Sequence, residues 1–550
     1  MTTVYNSLLD INGEAQGDKS GTSVSINGDG TIVAIGAPNN DGNGTHSGHV
    51  RVFGFNGLAW IQLGDDIDGE SVNDNSGYSI SLTPDGKFLA IGATDNNGPG
   101  PNTGHVRVFE YNGIDTWNQV GSDIDGTDNN DQTGFSVAIN TDGTIVVIGS
   151  PYVDDGGNNS GQVRVFQYNG TAWIQYGTSI DGDGVGDNNG YSVAINDVGD
   201  IIAMGAPQNT NASGTNSGQV RVFQYITSDW VQLGSDLDGQ NDQDQNGYSV
   251  SLNSSGTIVA SGAIRNDNAN GSNAGCTKVL EYDAIGTVWN QLGSDILGKK
   301  VGDESGTSIS LSDSGYRIAV GAPNNSDVDT NTGHLRLFEY ADSVWTEIKG
   351  DIDGQSASDQ SGSSVSINSD GTVVAVGSPA NDVTASEAGQ VRVFQCVGDA
   401  WTQNLTINMC LRADTNITTD QGNVQISLIN PLIHTINGHK ILEIVKSKLT
   451  DNEIICIQTH AFGENIPNCS TYVSKNHKIL WNGKLIKAYK MNRHGILHGL
   501  DRIPYNGEIM YNVLLDSKYS TMLANNMTVE TQHPPNDGWR WKRKRKKIIN

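Results

Sequence analysis

One step, Gly-x-Ser, recurs seven times in the first 409 residues, at Gly21, Gly77, Gly134, Gly190, Gly247, Gly306 and Gly362, at intervals of 56 to 59 residues. A Trp follows in each copy, at Trp60, Trp117, Trp173, Trp230, Trp289, Trp345 and Trp401, so seven of the ten tryptophans stand in register. A unit repeated at such a period buries its apolar surface against its neighbours, which restricts the chain to a stacked array or a closed ring. Each copy holds four short runs of β-branched and aromatic residues between Gly, Asn and Asp turns, in the third copy over 135–140, 144–149, 162–168 and 172–177. Asp142-Gly143 joins the first two runs, and Asp29-Gly30, Asp85-Gly86 and Asp370-Gly371 hold the same place, as tight hairpins require. Both faces of this four-stranded meander are partly apolar, so the expected fold class is all-β: a seven-bladed β-propeller, followed by a small all-β domain.

Asp10-Ile11-Asn12-Gly13 repeats the Asp66-Ile67-Asp68-Gly69 that follows the first Trp strand, so residues 1–20 look like the end that blade seven lacks. Nine residues beyond Trp345 stands Gly354, but nine beyond Trp401 stands Cys410, where the period stops. The expected organisation is a propeller over 1–409, a second domain over 410–535 and a basic tail over 536–550. Charge divides at the same point. Residues 1–409 carry 14 Lys and Arg against 50 Asp and Glu, a net −36, whereas 410–550 carry 19 against 11, a net +8. An acidic propeller repels phosphates, so no nucleic-acid partner is expected for it. No run of about 18 apolar residues occurs, and the opening residues lack a basic-then-apolar leader. A soluble, cytoplasmic or virion-associated protein is expected. Five cysteines at irregular spacing form neither a disulfide framework nor a Cys-x-x-Cys zinc site.

The repeat runs G-Y-S-V-S-L, then D-G, then V-A-I-G-A-P, then G-H-V-R-V-F, and over roughly 20–409 it resembles the FG-GAP repeats of integrin-α-type propellers. The resemblance implies a recognition module for a protein or glycan ligand. Members of that family often carry a D-x-D-x-D-G calcium loop between the first two strands, where this chain has a short turn such as Asn27-Gly28-Asp29-Gly30. Loops such as Asp123-Ile124-Asp125-Gly126 offer two carboxylates, a thin set for calcium, which takes about six to eight oxygens. No cofactor is expected beyond calcium in these propeller loops. Arg51, Arg107, Arg164, Arg221, Arg336 and Arg392, with Lys278 in the fifth copy, occupy one position of every blade. They would form a cationic ring around a channel or, as the neighbouring D-I-D-G carboxylates favour, pair with Asp between blades.

From Cys410 the composition changes, with more Lys and Ile and less Gly, and strands are expected over 425–428, 453–458, 478–481 and 509–515. Three blocks stand out: Cys410-Leu411-Arg412-Ala413-Asp414-Thr415 leading to Gly422; Ser474-Lys475-Asn476-His477; and Tyr511-Asn512-Val513 followed by residues 523–531. In this order and spacing the stretch resembles the Hedgehog/intein (Hint) autoprocessing family, closest to versions attached to viral and protist proteins. The resemblance implies that the leading Cys410 is the nucleophile, with Ser474 in the Thr place of a T-x-x-H block and His477 as its histidine.

Elementary chemistry agrees with the likeness. A Cys at a domain junction attacks the carbonyl of the residue before it, here Met409, in an intramolecular N-to-S acyl shift. The departing nitrogen needs a proton, which an imidazole of pKa about 6.5 supplies near neutrality, and this is the role expected of His477. Ser474 would orient the scissile peptide through its hydroxyl. Splicing inteins end in His-Asn, where this chain reads Glu530-Thr531, and only residues 532–550 follow, short of the sterol-handling region of Hedgehog proteins. Hydrolysis, or transfer of the propeller to an amine or hydroxyl acceptor, is what remains. The reading from another class is a non-enzymatic binding, adhesion or virion-surface structural protein with an inactive Hint-like domain. The tail from Trp539 to Lys547 interleaves aromatics with basic residues, a composition suited to nucleic acid or an anionic membrane.

Overall fold

A computed structural model describes residues 10–55, 59–348 and 350–396 and, beyond them, the backbones of strands up to residue 530. Met409, Cys410, His477 and the basic tail lie outside the described residues. The chain forms two compact units, one made of Met1–Phe55 and Trp60–Asn404, the other containing Leu405–Asn550. The first is an all-β propeller of seven antiparallel sheets, with no helix among the described residues and hence none long and apolar enough to cross a membrane.

Each sheet has five strands rather than the four expected. In the third blade Ser136–Ile139, Ile145–Ser150, Gln162–Tyr168 and Trp173–Gln175 pair in chain order, and Ile180–Asp181 returns to pair with Val163 and Gln162. The D-x-D-G segment, expected to be a turn, is therefore a second outer strand. The reason is the Trp of the next blade. Trp230 Nε1 donates to the Tyr176 carbonyl at 2.7 Å, and its indole lies so close that a Cβ on Gly177 would fall 2.6 Å from Trp230 Cδ1. The outer edge breaks off near Gly177, where φ is +83°, and pairing with the third strand resumes at Ile180. Replacing Trp230 by Phe leaves the Tyr176 carbonyl without its donor and is expected to cost about 2 kcal/mol, measurable as a lowered urea midpoint.

The second strands are apolar on both faces because both faces are covered. Leu89 and Ile91 pack with Ala34 of the first blade, and Ala90, on the opposite face, packs with Val146 and Ile148 of the third. The V-A-I-G pattern thus sets large residues of one sheet against a small one of its neighbour, which lets twisted sheets nest around a ring.

A second set of contacts joins the blades through the Gly-x-Ser step. Each Ser hydroxyl donates to the Gly carbonyl of the next blade: Ser23 to Gly77 at 2.7 Å, Ser136 to Gly190 at 2.8 Å, Ser308 to Gly362 at 2.7 Å, and so on round the ring. Ser364 donates to the Gly21 carbonyl at 2.8 Å, across a sequence separation of 343. In the seventh sheet Ile11–Asn12 takes the fifth-strand place, pairing with Val391 and Gln390.

In the second unit the described strands form two sheets. One runs in the order Thr435–Ile436, His439–Ser447, Met510–Leu515, Leu411–Arg412, Thr471–Ser474, Glu453–Ile457, Leu500–Pro504. The other runs Gly422–Gln425, Asn416–Thr419, Thr521–Ala524, Met527–Glu530, Lys478–Trp481, Lys484–Lys487. The strand expected over 425–428 lies three residues earlier, at Gly422–Gln425, where it pairs with Asn416–Thr419.

Candidate functional site

Two polar positions recur on the third strand of six of the seven blades, its first residue, His or Gln, and its third, Arg; the fifth blade has Cys276 and Lys278 there. Arg107, 6% exposed, stacks over Phe109 at 5.3 Å, and its Nη2 donates across the blade boundary to the Asp68 carbonyl at 2.7 Å. Arg51, Arg164, Arg221, Arg336 and Arg392 do the same to the carbonyls of Asn12, Asp125, Asp181, Leu297 and Asp353. These cations are buried between blades, so a cationic ring around a channel is not what they form. Nor are Asp carboxylates their common partner, contrary to expectation. The common acceptor is a backbone carbonyl on the fifth strand of the preceding blade, and Asn12 and Leu297 serve as well as Asp. Carboxylates add to it in places, at 3.0 Å from Glu14 to Arg51 and 2.8 Å from Asp183 to Arg221. Burial pushes the pKa of Arg107, Arg164 and Arg336 below the usual guanidinium value.

The first residue of the strand is His49, His105 or His334 in three blades, each at most 1% exposed. Burial is the main reason each imidazole has its pKa lowered to about 4, which leaves it neutral near pH 7. Each Nδ1 stands 3.7 to 3.9 Å from a carboxylate, of Asp66, Asp123 and Asp351 respectively. Sequence reasoning missed these histidines because their acidic neighbours are split between two blades.

The short turn between the first two strands uses its side chains internally. Asn27 Oδ1 accepts from the amides of Thr31 and Ile32, both at 2.8 Å, and Asp29 accepts from the Asn27 amide group at 3.0 Å and from Thr31. Outside, on the outer edge of the first blade, a cleft of about 440 Å³ is lined by Gln62, Gly64, Asp65, Asp66 and Asp68. It shares Asp65, Asp66 and Asp68 with a second of about 320 Å³ that reaches Arg107 and Trp117.

In the second unit the backbone carries the geometry. Leu411 pairs with Val473 on one side and with Tyr511 on the other. Ser474 ends the strand that contains Val473 and lies opposite Ile454. Cys410 and Met409, which precede Leu411, and His477, three residues past Ser474, lie outside the described residues.

The FG-GAP repeat family model matches residues 8–53. No curated protein matches the chain. The matched FG-GAP repeat begins with Ile11–Asn12, which belongs to the seventh sheet, and continues through Ser23–Ile26, Ile32–Ala37 and most of His49–Phe55 in the first. An FG-GAP repeat in sequence therefore straddles two blades in space. This is why its Arg51 and its Asn12 carbonyl, 39 residues apart in the repeat, meet across a blade boundary.

Proposed function

We propose that the chain is an autoprocessing protein in which Cys410 severs or transfers the propeller at Met409. Cys410 Sγ attacks the Met409 carbonyl carbon, and the Met409–Cys410 C–N bond breaks. A thioester replaces the amide, the thiol proton is lost to solvent or a base, and the Cys410 nitrogen gains a proton from His477. Ser474 orients the scissile peptide. Water, or an amine or hydroxyl on a partner, then attacks the thioester, freeing Cys410 and leaving the propeller as an acid, amide or ester. The reading requires no cofactor.

The observation that supports it most is the pairing of Leu411 with both Val473 and Tyr511. The residue after the nucleophile thus joins, in one sheet, the strand ending in Ser474 and the strand of the third block. A chain that kept these blocks for unrelated reasons would have no need of that adjacency. The propeller, an acidic ring of FG-GAP type, is the module released or attached, with a protein or glycan ligand as its proposed partner.

Expression of the native chain beside Cys410→Ala, His477→Ala and Ser474→Ala tests the roles separately. The native chain is expected to yield fragments ending at Met409 and beginning at Cys410. Cys410→Ala should yield none, His477→Ala should slow cleavage by about 10²–10⁴-fold, and Ser474→Ala should slow it less. Equal cleavage in the native chain and Cys410→Ala would refute the mechanism.

A further inference from the structure

Among the described residues, three clusters bring one buried imidazole and two carboxylates together with their ligand atoms within 4.8 Å of one another: Glu14, His49 and Asp66; Glu70, His105 and Asp123; and Asp327, His334 and Asp351. The first two are the same site on successive blades. In each, the Glu follows the D-x-x-G of the preceding blade, the His opens the third strand, and the Asp stands just before the fifth.

The sixth blade shows what such a site holds. There the place of Glu14 and Glu70 is taken by Lys299, and its ammonium sits beside His334, 2.6 Å from Asp351 Oδ1 and 2.8 Å from Oδ2. His334 is fully buried, and neither of its ring nitrogens has a hydrogen-bond partner. The blade thus supplies its own cation at this position. In the first two blades the lysine is a glutamate, and the positive charge is replaced by a third potential ligand. His105, 1% exposed, has no partner for Nε2, and its Nδ1 is 3.9 Å from Asp123, too far for a hydrogen bond.

Other blades close the position differently. Gln162 in the third donates to Asp181 at 2.8 Å, and Gln390 in the seventh donates to Asn12 at 3.0 Å. In the third blade the equivalents of the two acids are the uncharged Thr127 and Ser179.

We infer that Glu14–His49–Asp66 and Glu70–His105–Asp123 are two equivalent binding sites for a divalent transition-metal ion of the zinc class. One neutral imidazole nitrogen and two carboxylate oxygens, with a fourth position for water, match the donor set of that class. Ligand atoms in a tetrahedral zinc shell lie roughly 3.3–3.5 Å apart, close to the 3.7 and 3.9 Å between imidazole and Asp at the two sites. The buried histidine fixes the site, and the carboxylates, reaching it from the exposed ends of Glu14 and Glu70 and from Asp66 and Asp123, can close on an ion. Arg51 and Arg107 offset one charge at each site, at 3.0 Å from Glu14 and 3.7 Å from Glu70. Two carboxylates against one guanidinium leave each site net negative. Asp66 also lines the clefts on the outer side of the first blade, so one ligand of the first site is open to solvent.

Equilibrium dialysis of the full chain against Co²⁺, with the visible absorption of the bound ion and competition by Zn²⁺, tests this. His49→Gln and His105→Gln install the residue that other blades carry at this position. Each is expected to remove about one bound cobalt per chain and the double variant about two. Glu14→Gln and Glu70→Gln, which remove the charge but keep an oxygen facing Arg51 and Arg107, should weaken each site at least tenfold. Thermal unfolding of the native chain should shift upward with Co²⁺, and that of the double His variant should not. Equal cobalt stoichiometry and equal affinity in the native chain and in these variants would overturn the assignment.

Discussion

Gly149→Ala is expected to destabilise the propeller by about 3 kcal/mol or more, although it adds a single methyl group to a strand. A Cβ at Gly149 would lie 2.0 Å from the Gly190 carbonyl oxygen and 2.3 Å from Ser136 Oγ. The obstacle is the backbone of the next blade, which cannot swing aside as a side chain would. Relief requires parting the third and fourth blades, which also breaks the Ser136 to Gly190 hydrogen bond. Gly186→Ala is the control. Its φ is +81°, with nothing within 4 Å of the added Cβ, so only the backbone strain of about 1–2 kcal/mol applies. Urea unfolding followed by circular dichroism should rank Gly149→Ala well below Gly186→Ala. The reverse order would show that the blades are not in contact at this step.

Removal of residues 1–20 should have the larger effect. Residues 10–20 bond to the seventh blade through Gly13 to the Gly389 carbonyl at 2.8 Å, Gly17 to Ser386 at 3.0 Å, Lys19 to Glu387 at 3.0 Å and Ser20 to Ala388 at 3.0 Å, besides the Ile11–Asn12 pairing. They also provide the partners of Arg51, the Asn12 carbonyl at 2.7 Å and Glu14 at 3.0 Å. Taking these away leaves a buried guanidinium without its acceptor and exposes a strand edge at the ring's one covalent gap. Four backbone bonds at about 1 kcal/mol each and the burial of Ile11 at about 2 kcal/mol are comparable with the whole stability of an ordinary domain, about 5–15 kcal/mol. The shortened chain should lose its cooperative transition, and a peptide of residues 8–20 added in trans should restore part of it. An unchanged transition would mean that the ring is held shut elsewhere.

The period of the Gly-x-Ser and Trp residues was enough to read the all-β class and the seven blades, because a propeller repeats its sequence wherever it repeats its contacts. What the period could not carry was anything that depends on how neighbouring repeats meet. The fifth strand reads as a turn in the sequence because Ile180–Asp181 is two residues long, and its pairing is decided by an indole from the next blade. The Arg residues point in sequence to nearby carboxylates, because side chains are visible there, whereas the carbonyls of Asn12 and Leu297 are not. The buried histidines went unnoticed for a related reason, since Glu14 is 35 residues before His49 and Asp66 is 17 after it. The place after D-x-x-G varies from copy to copy, with Glu14 and Glu70 in two and Lys299 in the sixth, so the repeat pattern does not mark it. In the second unit the blocks around Cys410, Ser474 and Tyr511 were legible as a family pattern, and the pairing of Leu411 with Val473 and Tyr511 bears on them through the backbone alone.

The central claim is that the Met409–Cys410 amide passes through a thioester, and hydroxylamine tests it directly because it cleaves thioesters rapidly and leaves ordinary amides intact at neutral pH. The native full-length chain treated with hydroxylamine, followed by intact mass measurement, is predicted to give a fragment of residues 1–409 bearing a hydroxamate at Met409, and a fragment of 410–550 with a free amino-terminal Cys410. A single uncleaved chain of 58.5 kDa under the same treatment would contradict the account.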